Sequence, residues 1–205
     1  MLLGLSEALP SLVEARFKSA KATSSLLFSP TEVTIVRTGS EAHTTGNSPS
    51  KLNFQVRFCH SLAKKPTPKN NVTPKEKTDP FEDPPTALRI ADIPTADPSH
   101  LLVLNKFPII ASHFILATRS NKQQTHALEQ DDLEATYACL KAWQDGSDSK
   151  QRRLFAFFNS GEHSGASQPH RHLQFLPLES MREGESTSGW KLLIDVILAS
   201  AEGKP

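Results

Sequence analysis

Residues 154–177 limit what this chain can become. Leu154-Phe155-Ala156-Phe157-Phe158 is a short apolar run and reads as a buried strand. It ends in a polar loop with Gly161 and Gly165, after which His170, His172 and Gln174 alternate with Arg171, Leu173 and Phe175. Residues two apart in a strand point to the same face. A strand here therefore lines one face with two imidazoles and a carboxamide, and leaves Leu173 and Phe175 to face a core. The small-residue loop Ser164-Gly165-Ala166-Ser167 lies directly upstream. Its backbone N–H groups and hydroxyls suit an anion-binding concavity beside that polar face.

Two histidines at i, i+2 admit three readings. They can be surface or hydrogen-bonded side chains. They can share a metal ion, but Cys59 and Cys139 are far apart and no nearby Asp or Glu has a familiar ligand spacing. They can also serve nucleophilic catalysis on phosphorus, with a neutral imidazole attacking, a Gln binding the oxygens and a glycine-rich loop holding the remaining phosphates. An unperturbed imidazole pKa of roughly 6.5 leaves most of the ring neutral near pH 7. The loop, the two histidines and the glutamine together favour this third reading.

Asn159-Ser160-Gly161 followed by Ser164-Gly165-Ala166-Ser167-Gln168-Pro169-His170-Arg171-His172-Leu173-Gln174 resembles the signature of the fungal-type ATP adenylyltransferases, or diadenosine tetraphosphate phosphorylases. These belong to the histidine-triad superfamily, in its His-x-His-x-Gln branch. The resemblance implies that His172 is a nucleophile forming an adenylyl-histidine, that His170 supports it, and that Gln174 binds the transferred phosphoryl group. The spare ring nitrogen of His172 then needs an acceptor to fix the reactive tautomer.

The remaining chain is mixed in character. Its 205 residues suffice for a substantial core, although 37% apolar is low for a globular protein. A net charge of +1, from 23 basic and 22 acidic residues, argues against broad nucleic-acid binding. No apolar run approaches membrane-spanning length, the start lacks a basic leader, and two cysteines suit a reducing compartment; the expectation is a cytoplasmic protein. A helix is predicted over 10–21, with Leu12, Val13, Phe17 and Ala20 on one face. Short strands are predicted at 26–28 and 33–36. Phe54, Val56 and Phe58 have the alternation of a half-buried strand, and residues 39–50 read as an exposed loop. Eight prolines and five lysines between Lys64 and Pro98 exclude regular structure over most of that stretch. Strands are expected at 101–104 and 113–118, antiparallel about a turn at Pro108. A helix over 131–144 carries Leu133, Tyr137, Leu140 and Trp143 at helical spacing, with acidic residues at its start and Asp145-Gly146-Ser147 to stop it. A last helix spans 190–201.

The family resemblance extends over about residues 10–195. It implies an α+β fold, a mostly antiparallel sheet with packed helices, as a single domain with residues 64–98 as a Pro/Lys-rich loop. Lys65, in Ser61-Leu62-Ala63-Lys64-Lys65-Pro66, matches a lysine for the substrate phosphates, and Asp79-Pro80-Phe81 matches a further block. Asn105 and Lys106 match nucleotide or phosphate contacts, and His113 a structural histidine. Asn159, Gly165, Ala166, Ser167 and Gln168 match nucleotide-binding positions. The implied reaction converts diadenosine tetraphosphate and phosphate to ATP and ADP, with no tightly bound cofactor and no protein metal site; a divalent cation such as Mg2+ would accompany the nucleotide. The implied partners are nucleotides and phosphate, not nucleic acid or membrane. The family's C-terminal adenylyltransferase region is missing by this comparison. The alternative is therefore a weakly active or non-catalytic nucleotide-binding module, and the apolar last helix becomes a candidate for self-association.

Overall fold

The structure, a computed structural model, describes residues 3–37, 52–60, 79–146, 152–161, 163–184, 187 and 189–202. In chain order its elements are α1 (Leu9–Ala22), β1 (Glu32–Arg37), β2 (Asn53–Phe58), β3 (Arg89–Ile93), β4 (His100–Leu104), β5 (Phe114–Thr118), α2 (Gln130–Asp145), β6 (Leu154–Phe157), β7 (His172–Pro177), the single turn α3 (Leu178–Met181) and α4 (Leu193–Glu202). They divide into two units, Met1–Ser29 with Lys65–Met181 and Pro30–Lys64 with Arg182–Pro205. The class is α+β, as expected, with antiparallel pairing throughout.

The first unit is built on a five-stranded sheet of order β3-β4-β5-β7-β6. Strands β4 and β5 are buried along their whole length, as the apolar runs 101–104 and 114–117 within them require. Strand β7 joins them through the pairs Phe114↔Phe175 and Leu116↔Leu173 on one face, and Ile115↔Gln174 and Ala117↔His172 on the other. The pleat thus separates two jobs. On the first face Phe114 stacks on Phe175 at 4.9 Å and on Trp143 of α2 at 5.7 Å, pairs worth about 1 kcal/mol each beyond burial alone. The Trp143 indole N–H donates to Glu179, so this fully buried ring leaves no orphaned donor. Helices α1 and α2 pack against each other and onto this sheet. The second face holds the histidines.

Several expectations are revised here. Strand β6 is not buried: it is the sheet edge, and Phe155 is exposed. Residues 26–28 form no strand; Leu27 and Ser29 instead donate backbone bonds to the carbonyls of Lys106 and Pro108. The proline-rich stretch, expected to be irregular over most of its length, includes one regular element, β3, between Pro85 and Pro94, tolerated because it is an edge. The buried face of α2 is Asp132, Ala135, Ala138, Cys139 and Trp143, while Leu133 and Tyr137 are exposed. Small residues let the helix approach closely, and ion pairs draw Asp132 inward and set its rotation. The loop expected at 39–50, and Lys65, lie outside the described residues.

The second unit contains the hairpin pair β1–β2 and α4. Strand β2 lies where expected, but Phe54, Val56 and Phe58 are each about half exposed; a two-stranded ribbon has too few neighbours to cover both faces. Trp190 and Leu192 are buried ahead of α4, and the helix exposes Leu193, Ile194, Ile197 and Leu198. No described helix is long and apolar enough to cross a membrane.

Candidate active site

His172 sits at the start of β7 on the face opposite the aromatic core, and is buried. Its Nδ1–H donates to the backbone carbonyl of His170 at 2.7 Å. A carbonyl can only accept, so the ring proton is placed on Nδ1 and the lone pair on Nε2. This supplies the acceptor that the sequence left unidentified. Burial lowers the His172 pKa, and the neighbouring His170 also lowers it, against an opposing contribution from the bond to the His170 carbonyl. The ring is therefore neutral near pH 7. Phe81 lies 5.1 Å from it, centroid to centroid, and helps exclude water.

His170, fully buried, is held from both sides. Its Nδ1 faces Asp79 Oδ2 at 2.5 Å, and its Nε2 faces the Thr118 carbonyl at 2.7 Å. The edge of Phe81 meets its ring at 5.5 Å. The Asp79-Pro80-Phe81 block thus supplies both a carboxylate and a ring to the histidine pair. Asp79 also accepts from the Phe81 backbone N–H and from Asn121.

Gln174 is two residues further along the same face. Its Oε1 accepts from His113 Nε2 at 3.0 Å, and His113 Nδ1 faces Asn105 Nδ2 at 3.1 Å. Asn105 Oδ1 accepts from the Phe107 backbone N–H at 2.9 Å. His113 is buried, and burial pushes its pKa down to about 4, the bond to Gln174 opposing. Lys106 adjoins this turn, its ammonium 5.7 Å from the Phe107 ring centre. The structure therefore places His170, His172 and Gln174 along one strand, with His170 and His172 in one hydrogen-bonded group and Gln174 and Asn105 joined through His113 in another.

Asn159 is joined to β7 by a residue that sequence reasoning missed. The buried Gln124 donates from Nε2 to the carbonyls of Asn159 at 2.7 Å and His172 at 3.1 Å, and accepts the His172 N–H at 2.7 Å. A glutamine in a polar loop gives no signal in a single sequence. Gly161 and Gly165 both have positive φ, +94° and +79°, and Ser164 closes a turn onto the Gly161 carbonyl. Gly165 and Ser167 are exposed, Ala166 and Gln168 half-buried.

Arg171, between the two histidines, points the other way. It is buried and donates to Asp132 at 2.9 Å and to Glu129 at 2.7 Å; Asp132 also meets His100 at 2.9 Å. Burial works against ionising Asp132, but the Glu129 N–H, His100 and Arg171 outweigh it and hold the carboxyl below its usual pKa. His100, Asp131 and Asp132 are close enough to share an ion. Arg171 and Lys122 already supply the positive charge there, Lys122 lying 3.2 Å from Asp131, so the arrangement is an ion-pair network.

The site is thus a buried strand that presents a tautomer-fixed imidazole beside an amide, with a small-residue turn upstream. The particular family follows from comparison with known proteins. Residues 5–194 match the family model described as the Ap4A phosphorylase N-terminal domain, and the chain belongs to that family. It is 37% identical over 127 residues to diadenosine 5',5'''-P1,P4-tetraphosphate phosphorylase 2 of Saccharomyces cerevisiae, covering 61% of this chain and 39% of that protein. It is 35% identical over 170 residues to Protein APA1 of the same yeast, covering 82% and 49%. The crystal structure of yeast Ap4A phosphorylase Apa2 in complex with Ap4A aligns with a TM-score of 0.68 at 29% identity, covering 86% of this chain and 52% of that one. The complex of Apa2 with AMP aligns at 0.63 and 28%, covering 84% and 51%. The chain thus spans about half the length of the solved relatives, and 39% to 49% of the curated ones.

Proposed function

We propose that this chain transfers an adenylyl group through His172, acting on diadenosine tetraphosphate and inorganic phosphate. The observation that supports this best is the bond from His172 Nδ1–H to the His170 carbonyl, which leaves Nε2 as a free, neutral nucleophile. Nε2 attacks an α-phosphorus. The N–P bond forms as the bridging P–O bond breaks, and ATP departs with the electron pair on its terminal phosphate. The positive charge that develops on the ring is spread through Nδ1–H onto the carbonyl. A phosphate oxygen then attacks the adenylyl phosphorus, the P–N bond breaks, ADP leaves and His172 returns to its neutral form. Gln174 donates to the non-bridging oxygens, and His170 shapes the pocket and holds its carbonyl in place.

The nucleotide and its phosphates are assigned to Asn105, Lys106, Asn159, the 165–168 turn and Lys65, with a divalent cation entering on the polyphosphate. The cytoplasm, with its soluble nucleotide pool, is the assigned location. Since this chain spans only about half of its relatives, the competing reading is a module that binds nucleotide without turning it over. The test is incubation with ATP labelled on the α-phosphorus. Acid-labile, base-stable label on protein, absent in His172→Ala, supports the phosphoramidate. Nucleotide binding with no label supports the module, and label persisting in His172→Ala refutes the mechanism.

A further inference from the structure

Which end of the Gln174 carboxamide faces the substrate decides whether it attracts or repels phosphate oxygens. Hydrogen-bond polarity along a chain settles this question when one end of the chain is a group of fixed character. The Phe107 backbone N–H is such a group, because it can only donate. Asn105 accepts it at 2.9 Å, so the atom there is the amide oxygen. The other arm of the same amide, 3.1 Å from His113 Nδ1, is then the NH2 group. Facing a donor, His113 Nδ1 must accept, and its ring proton must sit on Nε2. Nε2–H in turn donates across 3.0 Å to Gln174, so the atom it meets is Oε1. The Gln174 NH2 group is what remains for the face shared with His172.

We propose that His113, held by Asn105, is a positioning residue that fixes the polarity of the Gln174 carboxamide, so that its NH2 group is offered to a transferring phosphoryl. The inference rests on the reading of His172 as the nucleophile. It adds a directional relay that starts at a backbone amide in the turn after β4 and ends at the reacting group. A flipped carboxamide would turn a carbonyl lone pair toward phosphate oxygens and repel them. The depressed pKa of His113 suits the role. A ring protonated at both nitrogens would set an N–H against the Asn105 NH2 group and break the chain. The relay also explains why Asn105 can matter to the reaction while both of its polar atoms are engaged within the protein.

Long-range 1H–15N spectra of the full chain with labelled histidine report the tautomer directly. His113 is expected as the neutral Nε2–H form throughout about pH 6–8. A neutral Nδ1–H form overturns the proposal. In parallel, Asn105→Ala and His113→Phe are assayed for the rate of His172 labelling and for the apparent KM for ATP. Loss of positioning predicts about 10- to 100-fold slower labelling in both variants, with KM little changed in His113→Phe. Asn105→Ala should also release the tautomer, which a purely structural role in the turn would not do. His113→Phe, a buried ring for a buried ring, covers the case in which Asn105→Ala fails to fold. Labelling within twofold of wild type in a folded variant overturns the proposal. If the wild-type chain takes no label, the adenylyl-transfer reading fails but the relay is still decided. A Gln174 side-chain NH2 signal that shifts on adding AMP in wild type and not in His113→Phe sustains it, and one that does not shift in wild type sinks it.

Discussion

Lowering the pH from 7 to 5 should destabilise the sheet unit through His113 specifically. Burial pushes this imidazole down to about 4, while in the unfolded chain it titrates near roughly 6.5. Between those values the unfolded state binds more protons, so stability rises with pH across that window and is lost as pH falls through it. The contribution is fully present above about pH 6.5. Its loss reaches about 2 kcal/mol at pH 5 and about 3 kcal/mol near pH 4. Acidic groups held low, such as Asp132, begin to cost stability only further down. His172 adds a loss of the same sign, since its pKa is also lowered. The contribution of His113 is therefore isolated by comparison with His113→Phe. Urea unfolding followed through Trp143 fluorescence, in a Trp190→Phe background, gives the stability of the sheet unit at each pH. The fall from pH 7 to 5 should shrink by about 2 kcal/mol in the variant. An equal fall in both chains, or a His113 titration near 6.5 by NMR, refutes the reasoning.

Two further outcomes follow from groups the sequence did not single out. Gln124→Met keeps the bulk of the side chain but orphans the His172 N–H and the carbonyls of His172 and Asn159; at about 1 kcal/mol or more per buried group, the urea midpoint should fall by the equivalent of about 3 kcal/mol, and His172 labelling should slow. Asp132→Asn leaves Arg171 buried without its closest fully buried counter-charge, so a loss of about 3–5 kcal/mol is expected, and a melt superimposable on wild type would show that Glu129 alone suffices.

The elements with an unambiguous period were legible in the sequence. The alternation in 170–175 and the helical spacing in 10–21 each point to one conformation, and the short apolar runs at 101–104 and 114–117 form strands buried along their whole length. What escaped was decided by partners distant in the chain. In α2, helical spacing pointed to Leu133 and Tyr137 as core. The ion pairs of Asp132 with Arg171 and His100 rotate the helix so that alanines and Cys139 meet the sheet instead. In β3, prolines at both ends suggested irregular chain, and only the position at a sheet edge makes the strand tolerable. For Phe54, Val56 and Phe58 the period was right, but period alone does not say which face is covered.

The His-x-His-x-Gln strand shows the same division within six residues. Its odd positions, Arg171, Leu173 and Phe175, fasten it to α2 and the aromatic core. Its even positions, His170, His172 and Gln174, line the candidate site, and each is held by something the motif does not contain. Asp79 and the Thr118 carbonyl hold His170, Gln124 clamps the backbone of His172, and His113 turns Gln174. Burial lowers the pKa of both His172 and His113, so the His172 ring is unprotonated near neutral pH, as its proposed role as nucleophile requires. A backbone carbonyl fixes its tautomer, and the Phe81 ring lies 5.1 Å away. The short motif supplies the side chains of the proposed site, and the antiparallel topology supplies the partners that fix their tautomers and orientation.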